Sequence, residues 1–183
     1  ILAETGSATE AKAALAAALA ASPDNVEALR AFVEVCTTER DWSSAEQALL
    51  RLGRLLTEPE ERSAIYMQLG QLYDGPLSKP DRAEKAYQEV IRASPEELRP
   101  REKLVALYLR DGATDKALEQ QRAMVEVATD SHEQCVRTIR VATLLEQMED
   151  FEQAEAVLVG ARRRFNKDAE PVRGLVDFYR RHE

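Results

Sequence analysis

The chain has 183 residues, 44% hydrophobic and 32% charged, with only 7 Gly and 7 Pro, so it can bury a substantial core and is too apolar for a disordered segment. Its formal net charge of -8 excludes bulk attraction to nucleic acid or to an anionic membrane, because counterion-release binding needs a net basic surface. No run approaches the roughly 18 apolar residues of a membrane span. Cys36 and Cys135 stand far apart without CxxC or CxxH spacing, so they read as small core residues rather than as a disulfide framework or zinc knuckle.

Ala, Leu, Glu, Arg and Gln dominate, the residues that lose least on entering a helix. The opening Ile1-Leu2-Ala3-Glu4 has neither the basic flank nor the apolar core of a signal peptide, and the first residue is not Met, so the chain reads as an excerpt of a longer polypeptide.

In chain order, the first predicted element is a helix over 8–22, with Ala11, Leu15 and Ala18 on one face. A helix pair over 26–62 follows, its first member carrying the stripe Leu29/Phe32/Val33/Cys36 and its second Ala45/Leu49/Leu52, opened by Trp42. The pair over 63–97 carries Tyr66/Leu69/Gly70/Tyr73 and Ala83/Tyr87/Val90, with extra residues from Asp74 to Pro80 between its helices. Over 98–134 the stripes are Leu104/Val105/Tyr108 and Ala117/Gln121/Met124, and over 135–168 they are Val141/Ala142/Leu145 and Ala154/Leu158/Ala161. A last helix over 169–183 carries Leu175/Val176/Tyr179. The lead alanines Ala11, Ala45, Ala83, Ala117 and Ala154 recur at steps of 34 to 38 residues, a period that marks a repeat architecture.

Boundary signals agree with this division. Ser94-Pro95-Glu96-Glu97 reads as an N-cap serine, a proline at the first helical position and a glutamate three residues on; Thr57-Glu58-Pro59-Glu60, Ser131-His132-Glu133-Gln134 and Asp150-Phe151-Glu152-Gln153 repeat the logic. Arg110-Asp111-Gly112-Ala113 reads as a helix stop with glycine free to turn left-handed. The fold class expected is all-α, about ten antiparallel helices joined by short turns.

Helix pairs of this length, with small residues where helices touch and Pro23 or Pro95 closing a second helix, resemble tetratricopeptide repeats over nearly the whole chain. The resemblance implies a single array over 1–183 forming a right-handed α-α superhelix: four complete repeats between a lone second helix (8–22) and a lone first helix (169–183). A lead residue as small as Ala lets each second helix approach its first closely, while Leu15, Leu49, Tyr87 and Leu158 fill the gap to the next repeat. The chain departs from the family pattern in lacking its early tryptophan, whose place is taken by Leu29, Tyr66, Arg101, Thr138 and Val172.

No catalytic constellation is visible. His132 and His182 are the only histidines and read as surface residues, and Glu84, Glu89, Glu119, Glu152 and Glu155 sit among Lys, Arg and Gln on the face opposite the apolar stripe, a solvated surface rather than a paired-carboxylate site. Metal clusters and the phosphate-binding motifs GxGxxG and GxxxxGK are missing, so no enzyme activity and no cofactor are expected. Arg162-Arg163-Arg164 falls in the last turn of a helix, where cations complement the dipole.

The resemblance also implies a concave groove lined by the first helices. Its matched positions hold Arg30, Gln68, Gln71, Arg99, Lys103, Arg140, Arg173 and Arg180, with the basic members gathered towards the C-terminal half. On an acidic chain, that segregation points to an acidic segment or free carboxylate as ligand. The alternative is that these arginines are solvated and paired with Glu102, Glu146 and Asp177. Glu34, at a matched position, would repel the chaperone C-terminal carboxylate that some members grip.

The expected function is a protein-interaction scaffold binding a peptide or partner segment. The alternative is the targeting or regulatory arm of a larger multidomain enzyme whose catalytic part lies outside this chain. Single-stranded RNA binding is disfavoured by the few aromatics free to stack bases. Intracellular is the default compartment, favoured by two unpaired cysteines. The first helix has no preceding partner except what Ile1 and Leu2 supply, and the last has no following one. Solenoid ends normally need polar caps, so either further repeats flank this stretch or copies associate end to end.

Overall fold

The computed structural model describes the backbone of residues 2–182 and the side chains of residues 9–182; any cover that Ile1 and Leu2 give the first helix lies outside the described side chains. Among the described residues there are ten α-helices and no strand: α1 (Leu2–Ala21), α2 (Val26–Thr38), α3 (Trp42–Leu55), α4 (Pro59–Asp74), α5 (Pro80–Ala93), α6 (Leu98–Arg110), α7 (Thr114–Val127), α8 (Ser131–Gln147), α9 (Phe151–Arg164) and α10 (Glu170–His182). They form two compact units, one ending at Ser94 and the other beginning at Pro95.

In the first unit each helix packs on its neighbours in chain order, from α1 on α2 to α4 on α5. The interior is set by small residues. Ala45 and Ala83 are wholly buried, and Tyr87 is wholly buried as well. A Cβ on Gly70 would overlap the Tyr87 ring, so α5 seats on α4 only because position 70 has no side chain. The sequence pattern sends Tyr87 towards the next repeat; its ring also lies against Gly70 in the first helix of its own repeat.

The first unit also carries a polar clamp. Glu46 on α3 accepts hydrogen bonds from the Tyr73 hydroxyl at 3.0 Å, Lys79 Nζ at 2.8 Å and Arg82 Nη1 at 2.7 Å, tying the extra residues between α4 and α5 to the preceding repeat. At the other end Lys12 of α1 lies 2.7 Å from Asp41 and 3.2 Å from Glu39. The Lys12 ammonium, with help from Ser44, holds the Asp41 carboxyl down to about 2.

In the second unit α6 to α9 pack in the same serial way, and α10 packs on both α9 and α8. Ala117, Ala154 and Cys135 are wholly buried, and Phe165 closes a cluster with Cys135 and Ala161. Leu158 faces the next repeat as expected, its Cδ2 lying 3.0 Å from where a Cβ on Gly174 of α10 would stand. Arg137 is buried at the junction of three helices. It donates to Glu102 of α6 at 2.9 Å and to Glu133 of α8 at 2.7 Å, and it meets Met124 Sδ of α7 at 3.1 Å. Gln121 of α7 donates to the Arg137 carbonyl at 3.2 Å. A buried charge of this kind holds only because each face of the guanidinium is matched.

Three of the first-to-second helix turns share one geometry. Arg40, Gly112 and Glu149 all lie at positive φ (58°, 74° and 60°), and in each turn the next amide reaches back to a carbonyl of the preceding helix: Asp41 N to Cys36 O at 2.8 Å, Ala113 N to Tyr108 O at 2.8 Å, Asp150 N to Leu145 O at 2.9 Å. This satisfies the orphan carbonyls at a helix end through a left-handed residue. Gly112 is legible from sequence; Arg40 and Glu149 are not, because neither is glycine.

Three helix starts differ from the sequence pattern. Ser94 does not cap the following helix; its amide closes α5 on Val90 O at 2.9 Å, and α6 starts only at Leu98, after Glu97. At α4 proline is at the first position as expected, but the N-cap position is held by Glu58, whose side chain makes no capping bond, and not by Thr57. Asp130 rather than Ser131 caps α8, accepting from Glu133 N at 2.8 Å. The helices α4 and α8 therefore begin four residues ahead of the starts at 63 and 135. Asp150 caps α9 as expected, accepting from Gln153 N at 3.1 Å.

Candidate functional site

In the first unit the first helices α2 and α4 flank a cavity of about 500 Å³ with α3 at its floor. Its walls are Glu34, Thr37 and Thr38 of α2 and Gln68, Gln71 and Leu72 of α4, and Trp42, Ala45 and Leu49 come from α3. Gln68 and Gln71, both exposed, are thus brought together on one cavity wall. Each primary amide can donate and accept, which suits the alternating donors and acceptors of a peptide backbone. The half-buried Trp42 adds an aromatic surface; the sequence shows this residue only as the opening of a second helix. The third expected residue here, Arg30, is engaged: its Nη2 donates to Glu61 of α4 at 2.9 Å.

In the second unit Arg99 and Lys103 lie one turn apart on α6, Arg140 lies on α8, and Arg173 and Arg180 lie on α10, all five exposed. Lys103 and Arg140 hold the same place in successive first helices, two residues past Arg101 and Thr138. Among the described residues, Arg99, Lys103, Arg140 and Arg180 are engaged in no ion pair, and their charges face solvent. Arg173 differs, donating to Glu170 in its own first turn at 2.8 Å.

The expected pairing of these arginines with Glu102, Glu146 and Asp177 does not occur. Glu102 is taken by Arg137, and Glu146 receives Arg181 at 2.7 Å and His182 at 2.7 Å. The reason is geometric: Glu102 and Glu146 reach across to cations on another helix, Arg137 of α8 and Arg181 of α10. Sequence spacing within one helix does not reveal such partners, each about 35 residues away.

The histidines are each tied to a carboxylate. His132 Nδ1 lies 2.6 Å from Asp168, whose hydrogen bond raises the imidazole pKa above its ordinary value. His182 lies over Phe151 and Phe178. Burial pushes the Cys135 thiol up to about 11, so this sulfur is a packing group rather than a nucleophile. No described helix is long and apolar enough to cross a membrane.

Paired helices that bury a small-residue seam and present polar, exposed first-helix faces define the class of helical-repeat interaction scaffolds. Two models of the tetratricopeptide repeat match the sequence, over residues 2–64 and 77–132, which together span well over half of it. The chain belongs to the tetratricopeptide repeat family. No curated protein matches it significantly in sequence.

Solved structures of the same fold include MamA (21% identity, 91% of this chain and 94% of that one, TM-score 0.60). YrrB, described as a TPR protein with an unusual peptide-binding site, is similar as well (17% identity, 94% of this chain and 85% of that one, TM-score 0.59). So is a tetratricopeptide repeat protein from Parabacteroides merdae (17% identity, 97% of this chain and 68% of that one, TM-score 0.60).

Proposed function

We propose that this chain is a non-catalytic scaffold that takes an acidic peptide segment on the first-helix faces of its second unit, with Arg99, Lys103, Arg140, Arg173 and Arg180 as the charged anchors. The observation that carries this reading is the set of four exposed cations, Arg99, Lys103, Arg140 and Arg180, left without an ion pair among the described residues on a chain of net charge -8. Elsewhere in the same unit Arg137 and Arg181 are matched to glutamates. Lys103 and Arg140, exposed at equivalent positions of successive first helices, are arranged for charge-assisted bonds to carboxylates. In the first unit Gln68, Gln71 and Trp42, with Arg30 at one side, supply amide and aromatic contacts to a peptide backbone. The peptide-binding site described for YrrB is in keeping with such a role.

The test is fluorescence polarisation with a labelled peptide of interspersed Glu and Leu residues. Lys103→Glu combined with Arg140→Glu weakens binding by at least tenfold, since a hydrogen bond to a charged group is worth about 1.5–3 kcal/mol. Raised salt weakens the parent in the same direction. Equal affinity in the parent and the double variant, at equal helicity, refutes the assignment.

A further inference from the structure

The cavity of the first unit carries the opposite sign to the cations of the second. Among the described residues that line the space of about 500 Å³ between α2, α3 and α4, Glu34 alone is charged. Its carboxylate is exposed and makes no ion pair or hydrogen bond among the described residues. Arg30, about one turn earlier on α2, does not neutralise it, because its guanidinium is held by Glu61 at 2.9 Å. Thr37 and Thr38 donate their hydroxyls to carbonyls of their own helix, Val33 O at 2.7 Å and Glu34 O at 2.9 Å. The amides of Gln68 and Gln71, by contrast, are without a partner among the described residues, as Glu34 is.

The rest of the wall is apolar: Leu49 and Leu72 are buried, and Trp42 is half-buried. A guest that fits has an apolar stem and a tip that only donates hydrogen bonds. A carboxylate tip meets the like charge of Glu34, and an aliphatic tip leaves the carboxylate and both amides unanswered. A lysine ammonium offers three donors and an arginine guanidinium five, with no acceptor in either, on methylene stems that lie along apolar surface while the head stays wet. Either cation is also attracted to an indole face.

We propose that this cavity takes a lysine or arginine side chain of a partner segment, its stem against Trp42, Leu49 and Leu72 and its charged head on Glu34, with the carbonyl oxygens of Gln68 and Gln71 as further acceptors. The proposal rests on the reading of the first-helix faces as ligand-binding surfaces and gives the first unit the opposite preference to the second. In the other complete repeats the place of Glu34 is held by the uncharged Gln71, Ala106 and Thr143, so the negative charge is a feature of this cavity and not of the repeat.

Trp42 is the one tryptophan of the chain, so its emission reports on this cavity directly. The probe is a capped peptide with one lysine between two leucines, compared with analogues that carry arginine, norleucine or glutamate in its place. The lysine and arginine peptides shift the Trp42 emission saturably. Norleucine binds about fivefold more weakly, the scale of one exposed ion pair, and glutamate more weakly still. Glu34→Gln removes the advantage of lysine over norleucine, and Glu34→Lys reverses the order in favour of glutamate; circular dichroism checks that helicity is unchanged. The Lys103→Glu, Arg140→Glu double variant responds as the parent does, so failure of the acidic-peptide site is read separately from failure of this one. A norleucine peptide that binds as tightly as the lysine peptide, a lysine preference that survives Glu34→Gln, or no emission change with any of the peptides overturns the proposal.

Discussion

Position 70 shows how one atom decides a helix pairing. The Tyr87 ring occupies the space a Cβ would need, and a wholly buried ring has nowhere to retreat. Gly70→Ala therefore destabilises the fold by about 1–3 kcal/mol, read by urea denaturation, even though alanine is the better helix former. His132 offers a second check at this scale. Its hydrogen bond with Asp168 raises the imidazole pKa above 6.5 and lowers that of the carboxyl. The imidazole's contribution to stability is thus complete below its ordinary value and lost as pH rises through the raised one; that of Asp168 is lost as pH falls through its lowered value. NMR titration finds the His132 midpoint above 6.5, and Asp168→Asn moves it back down. Neither feature is legible from sequence alone: Gly70 reads as one more small residue, and the His132 partner lies 36 residues away.

Among elements, the seam alanines and the start of α9 follow directly from local chemistry, whereas the starts of α4, α6 and α8 do not, and the turns conceal their strain. Asp150 announces itself as a cap; Arg40 and Glu149 hold left-handed backbone that nothing in their side chains favours. Glu149→Gly relieves that strain and raises stability by about 0.5–1 kcal/mol, net of the extra freedom glycine gains when unfolded; the change in denaturation midpoint measures it. Ser94 misleads because serine before proline is also a common way to leave a helix, and here three further residues intervene before α6 begins. Arg137 escapes a pattern search for the opposite reason. It occupies a buried position but is charged, and only the carboxylates of Glu102 and Glu133 make that tolerable.

For the whole molecule, periodic alanines and apolar stripes are enough to identify the helix pairs and the family, since burial follows a period set by the helix itself. The separation into two compact units is not legible, because it depends on how far packing extends across Ser94 and Pro95 rather than on any local signal. The candidate faces are legible as positions but not in their engagement: Arg30 and Arg173 have carboxylate neighbours in the fold, while Arg99, Lys103, Arg140 and Arg180 have none among the described residues. The central claim, that these cations face an acidic ligand, is tested most directly by titrating the isotope-labelled chain with the Glu and Leu peptide and following backbone amide shifts. Perturbations concentrated on α6, α8 and α10 around Lys103, Arg140 and Arg180 are the predicted result; perturbations confined to the second helices α7 and α9, or none at all, would contradict it.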